Sequence, residues 1–409
     1  MVWTTTVPGG ICRRSASSTR PMRKGRPAGH LPPRPPTEAS RSPTPRPMPN
    51  PTKDLLLVSA DAPAVGSGRQ LELAAVALRE VGWRVRLALL TTGGSLAGRL
   101  KATGVTVERL GRRPIIDAAV VPQLVGLCRR RAPALVLAWG RPAAVPVAAA
   151  RLVSRRLGLG SWQHCQWLAQ PPRPGPEAFA VRAADRVLVT AEWLANDHGL
   201  AAATGRLAVV PPAAVALTSH GDRERLAVSL GLDAARQWTL TVARLVAASR
   251  LDRLLWAIDQ MGVVRDDLAH IIVGAGPLGR RLARRASVQL IAGRVHFFDQ
   301  LDCLPELLPQ VDLIMQPGRV PLGGCLLEGL SQGIPLVAVD TPESRSVIGN
   351  NEAGRLVPAV PESELGRWAI QLLEDRDLAA ACTAAGSRRA AELFDPQAFA
   401  AALVAAVGG

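Results

Sequence analysis

VPLGGCLLEGLSQGIP, running from Val320 to Pro335, is the stretch on which the reading of this chain turns. A glycine pair, Gly323-Gly324, leads through Cys325 and Leu326 into a helical run carrying a single carboxylate, Glu328. A second turn, Gly333-Ile334-Pro335, then opens an apolar strand, Leu336 to Val339. Backbone N–H groups at a helix start can hold a phosphate. A glutamate just beyond them can grip a sugar hydroxyl of the same nucleotide, so the stretch outlines a nucleotide-sugar site.

Working outward, the same alternation of strand, turn and helix fills the second half. Strands are expected at 238–242, 270–273, 295–298 and 312–316, with helices at 278–286 and 364–373. Two of these strands end in suggestive turns. Val242-Ala243-Arg244-Leu245 places a cation at a strand end, and Val273-Gly274-Ala275-Gly276-Pro277 is a glycine turn before a basic helix. The first half repeats the logic, with strands expected at 55–59, 84–90, 105–110, 134–137, 187–190 and 207–210. Alternation of this kind implies parallel sheets covered on both faces. The fold class is therefore α/β, as two Rossmann-like domains of similar size facing across a cleft. The expected divisions are residues 1–52 as a tail, 53–220 and 221–390 as the two domains, and 391–409 as a C-terminal helix packing back on the first domain. Ligands of open parallel sheets sit beyond the carboxyl ends of the strands.

Composition sets the bounds. The 409 residues have 48% hydrophobic and 20% charged residues, as expected of a globular chain, and no stretch reads as a membrane span. The net charge of +16 is uneven: residues 1–53 hold ten Lys or Arg and one acid, Glu38. That segment also has 12 of the 34 prolines, so it is expected to be a disordered basic tail. Contact with anionic lipid headgroups is a second reading of it. Specific nucleic-acid binding is not expected, because the charge sits in a proline-rich stretch with one aromatic residue, Trp3. Six dispersed cysteines, without a CxxC pair, suit reduced thiols in a cytosol rather than a disulfide framework or zinc site.

Taken together, VARL at 242–245, IIVGAGP at 271–277, LLEGLSQGIPLVAVD at 326–340 and GRLVP at 354–358 resemble the group 1, retaining glycosyltransferases of the GT-B fold (family 4). In the first half, VGSGRQLELAAVALREVGWRV at 65–85 and AADRVLVTAEWL at 183–194 are similar to the acceptor domain of that family. The resemblance implies transfer of a sugar from a nucleoside diphosphate to an acceptor hydroxyl, with retention and without a metal or other cofactor. It implies a nucleotide-sugar donor, a glycan or lipid-linked acceptor, and a cytoplasmic location with peripheral contact at the inner membrane face. By position, Arg244 is expected on the diphosphate and Glu328 on the ribose. The turn Gly323, Gly324, Cys325 and Leu326 is expected near the phosphates, as are Gly274 and Gly276. Gly68 is expected to let the first-domain loop come close to the phosphates, and His164 to lie near the sugar.

The motif is incomplete. Val320 stands where the family has a first glutamate, and Ser249 where it has a lysine, with Arg250 next to it as the substitute cation. Losing one preorganised donor to a developing charge lowers a rate by roughly 10²–10³. An active transferase is expected; a catalytically impaired binding or partner subunit, and a different GT-B chemistry such as an epimerase, are the alternatives.

Overall fold

The computed structural model describes residues 53–408, apart from 62, 92–95, 112, 114–115 and 218–220. The expected tail, residues 1–52, lies outside the described residues. From Met48 onward the chain is one compact unit. It contains two wholly parallel sheets. The first comprises β1 (Lys53–Ser59), β2 (Trp83–Leu89), β3 (Thr106–Arg109), β4 (Leu135–Trp139), β5 (Gln163–Leu168), β6 (Arg186–Val189) and β7 (Leu207–Val209). The second comprises β8 (Gln237–Val242), β9 (Leu268–Val273), β10 (Val295–Phe298), β11 (Leu313–Gln316), β12 (Leu336–Val339) and β13 (Arg355–Val357).

Strand order is β3-β2-β1-β4-β5-β6-β7 in one sheet and β10-β9-β8-β11-β12-β13 in the other. Each sheet therefore reverses direction once, between β1 and β4 and between β8 and β11. Such switch points open a crevice beyond the carboxyl ends of the flanking strands. The central strands are buried on both faces, with Leu55, Leu57, Leu137, Leu240 and Leu313 fully enclosed. Near-continuous apolar runs are what a sheet covered by helices on both sides demands.

Two strands were not expected from the sequence. β5 alternates Gln163, His164, Gln166 with Cys165 and Trp167, so no apolar run marks it, although all but its first residue is buried. β13 has three residues. Residues 376–408 are the one helical run among those described that is long and apolar enough to cross a membrane, by length and composition. Phe394 divides it into the helices Arg376–Leu393 and Pro396–Gly408. The former packs on the helix Leu326–Gln332 and the latter on the helix Ser67–Glu80, burying Phe399, Leu403 and Val407. The five described cysteines are free thiols.

Candidate functional site

The switch points of the two sheets carry glycine turns, and these turns meet. On the second-domain side, Leu322, Gly323 and Gly324 all have positive φ, at 56°, 68° and 73°. This run of left-handed residues folds the chain back over the ends of β8 and β11. A Cβ on Gly324 would stand 2.6 Å from the Val242 carbonyl oxygen and 2.9 Å from Gln316 Oε1. The turn delivers Cys325 and Leu326, both fully buried, to the start of the helix Leu326–Gln332. First-turn amides of a helix have no intrahelical acceptor and face outward from its end.

On the first-domain side, the loop after β1 runs Asp61 to Ser67 into the helix Ser67–Glu80. Gly66 has φ 59°, and a Cβ there would stand 2.6 Å from the Gly324 carbonyl oxygen. Its N–H donates to Glu328 Oε1 at 2.7 Å, joining the two domains. The contact of this loop with the second domain is thus made at Gly66. Gly68 instead packs against the Pro63 carbonyl of its own loop, where a side chain would not fit. Behind this loop, Trp139 stacks on Trp167 with ring centroids 4.1 Å apart, and Trp139 Nε1 donates to the Ser67 carbonyl at 2.9 Å.

Glu328 is 2% exposed, and burial raises its carboxyl above the usual range, opposed by the Gly66 hydrogen bond. Its Oε2 is buried without a hydrogen-bond partner among the described residues. A buried, unsatisfied carboxylate oxygen costs free energy, and a hydroxyl donor relieves that cost. Arg244 follows β8 and is exposed, with no ion pair or side-chain hydrogen bond to the described residues. It lies near enough to Asp61 for their charges to interact: crowding raises the Asp61 carboxyl, although that residue keeps an exposed surface, and Arg244 opposes the rise. Arg244 and Glu328 therefore face the same first-domain loop, residues 61–66.

Gly274 and Gly276 hold this arrangement in place. Side chains there would collide with the Ala243 and Leu245 carbonyls. Their absence lets the turn after β9 run alongside Ala243–Leu245, bonded through Leu245 N–H to the Ala275 carbonyl at 3.1 Å. They brace the segment that presents Arg244. Arg250 has φ 50° at the start of the helix Leu251–Val264 and lines a shallow hollow with Arg253, Pro317, Val339, Pro358 and Glu362. Ser249 beside it is buried under Gly318. Val320 is buried as well, so no carboxylate is presented from that position.

His164 is a correction. It is the second residue of β5, at the amino end of a strand whose carboxyl end, Leu168, points toward the cleft. From His164 to Gln170 is six residues, about 20 Å of extended chain. The ring is fully buried, edge-on to Trp162, and burial with the Arg151 charge lowers its pKa to about 4. An imidazole there does not reach a sugar in the cleft. The residue that β5 sends across is Gln170, whose Nε2 donates to Glu343 Oε1 at 3.3 Å. Glu343, 1% exposed, also accepts from Arg319 Nη2 at 2.9 Å. Sequence reasoning missed Asp61, Gln170 and Arg319. Reading 163–168 as a strand would have pointed to Gln170.

Comparisons with known proteins can be set beside this geometry. Residues 222–389 match the family model described as glycosyl transferases group 1. The GDP-mannose-dependent alpha-(1-6)-phosphatidylinositol monomannoside mannosyltransferase of Mycobacterium tuberculosis is 28% identical over 161 residues, covering 37% of this chain and 42% of that protein. The lipopolysaccharide core biosynthesis mannosyltransferase LpsB of Rhizobium meliloti is 25% identical over 181 residues, 42% of this chain and 52% of the relative. The alignment thus spans about half the length of these curated relatives or less. Among solved structures, Anabaena HepE in complex with UDP-glucose superposes with a TM-score of 0.70 at 18% identity, over 87% of this chain and 99% of that one. WaaG, a glycosyltransferase involved in lipopolysaccharide biosynthesis, gives 0.64 at 14%, over 87% and 100%. The shared architecture is the GT-B fold.

Proposed function

We propose that this chain, whose residues 222–389 match the group 1 glycosyl transferase model, binds a nucleoside-diphosphate sugar in its cleft and transfers the sugar to an acceptor hydroxyl. The observation that carries this reading is the meeting of the two glycine turns, with Arg244, unpaired among the described residues, and a buried half-satisfied carboxylate, Glu328, facing one loop. A diphosphate leaving group develops negative charge as the glycosidic bond breaks. Arg244 and the amides at the start of the helix Leu326–Gln332 supply positive charge where it develops, without a metal. Glu328 Oε2 accepts from a ribose hydroxyl. Breaking the bond on the face where the acceptor attacks gives retention. The relatives' names favour a hexose donor such as GDP-mannose and a lipid-linked acceptor.

A second reading is supported by specific residues. Val320 and Ser249 lack the groups that the family motif supplies, and Gly66 already occupies one oxygen of Glu328. A binding or partner subunit without turnover would carry these features. A panel of UDP- and GDP-hexoses, assayed for release of nucleoside diphosphate with a chelator present, separates the two. Transfer predicts release from at least one donor and a loss of roughly 10²–10³ in rate for Arg244→Ala. Binding to a donor with no release from any of them supports the partner role.

A further inference from the structure

A second cationic group lies in the cleft, apart from Arg244. Arg141 directly follows β4 and its glycine, Arg173 lies in the loop after β5, and Arg319 follows β11. All three thus stand beyond carboxyl ends of strands, two from the first domain and one from the second. Gln170 and Glu343 bridge the domains beside them. Arg141 donates to the Pro171 carbonyl at 3.0 Å and lies 3.7 Å from Glu177. Arg319 is engaged by Glu343 and remains 48% exposed. The Arg173 guanidinium is exposed and has no partner among the described residues. Burial lowers the Arg141 pKa; Glu177 and Glu343 oppose this, and the charges of Arg173 and Arg319 lower it further. Arg141 thus feels both of the other guanidiniums, and the group sets three positive charges against the two carboxylates, Glu177 and Glu343. Like charges held together in a partly buried cleft are unfavourable unless an anion joins them.

We propose that Arg141, Arg173 and Arg319 form an anion subsite that takes a carboxylate or phosphate carried by a sugar substrate, separate from the donor diphosphate. The proposal rests on the transferase reading for its place in a substrate cleft. Guanidiniums match both anions through paired N–H groups, and Arg319 and Arg173 have such groups to spare. Val320, next to Arg319, presents no carboxylate to repel such a substrate. The two sources of the anion are a uronic acid and a sugar phosphate ester.

The test is calorimetric titration of the full-length protein with glucose, glucuronate and glucose 6-phosphate. Saturating UDP or GDP is present to fill the diphosphate site. At least one charged sugar should bind tenfold or more tightly than glucose, and which one does so identifies the anion. Arg173→Glu, at an exposed position with no packing role, should remove that preference. Equal affinity for the three sugars, no binding by either charged sugar, or a preference that survives Arg173→Glu overturns the proposal. Failure of both nucleotides to bind overturns the transferase reading instead, and the sugar titrations still report on the subsite.

Discussion

Gly66 and Glu328 are 262 positions apart in the chain, and a 2.7 Å hydrogen bond joins them. Any side chain at Gly66 would have to adopt φ 59° and would press on the Gly324 carbonyl. Gly66→Ala should therefore cost about 1–3 kcal/mol of stability, measured by urea denaturation. It should also weaken nucleotide binding, because it displaces the loop that faces Arg244. His164 acts at the other end of its strand. Its pKa is lowered to about 4 by burial, and that of His270, beside Thr239, to about 3. A histidine whose folded pKa lies below its unfolded value of about 6.5 stabilises the protein above that value. That stability is lost as pH falls through the folded pKa. Stability should thus decline between about pH 6.5 and 4, with His164 alone accounting for on the order of 3 kcal/mol. His164→Leu should flatten this acid limb in a series of urea melts without changing the sign of the Arg244 effect on turnover.

The turn Leu322–Gly324 and the helix after it form the element that places the phosphate-facing amides. Gly324 and Gly333 flank this helix, and both have positive φ, 73° and 68°. Gly324 is hemmed in by β8 and β11, whereas a Cβ on Gly333 meets nothing within 4 Å. Gly333→Ala should cost about 1 kcal/mol, for backbone strain alone. Gly324→Ala should cost about 2–4 kcal/mol, because the strain adds to a collision with the Val242 carbonyl. Thermal melts of the two variants read the difference. This element was legible in the sequence because its signals are local: a glycine pair, an apolar helical run and a closing Gly-Ile-Pro turn. β5 was not, since His164 and Gln166 put polar side chains into a strand buried on both faces, where an apolar run is expected. That misreading moved His164 toward the cleft and hid Gln170. The contact at Gly66 was hidden for a similar reason: Gly66 and Gly68 share one turn motif, and only the facing domain distinguishes them. Arg319 and Glu343 depend on how the two sheets meet, which no local pattern encodes.

At the scale of the molecule, the two halves are stitched by a linker and by the chain's end. Gln70 exchanges two hydrogen bonds with the Ala213 backbone, at 2.7 and 2.8 Å. Gln332 donates to the Leu217 carbonyl at 3.0 Å, so both helices that border the site are tied to the crossing segment. The final helix adds Arg186 to the Ala406 carbonyl at 2.8 Å, and Phe394 accepts from Ala214 at 2.8 Å. Deleting residues 396–409 should strip the apolar cover from the helix Ser67–Glu80 and lower the melting temperature by more than 5 °C, which in a unit of this size takes a loss of several kcal/mol. Deleting residues 1–47 should leave the melt unchanged, since that proline-rich segment has few apolar side chains to contribute. The most direct measurement is a titration of UDP and GDP into the full-length protein and into Arg244→Ala and Glu328→Gln. One nucleotide should bind the unmodified protein in the micromolar range and lose tenfold or more in affinity to each substitution. Equal affinity in all three proteins, or no binding to the unmodified one, would mean that the meeting point of the two glycine turns is not where a nucleotide sits.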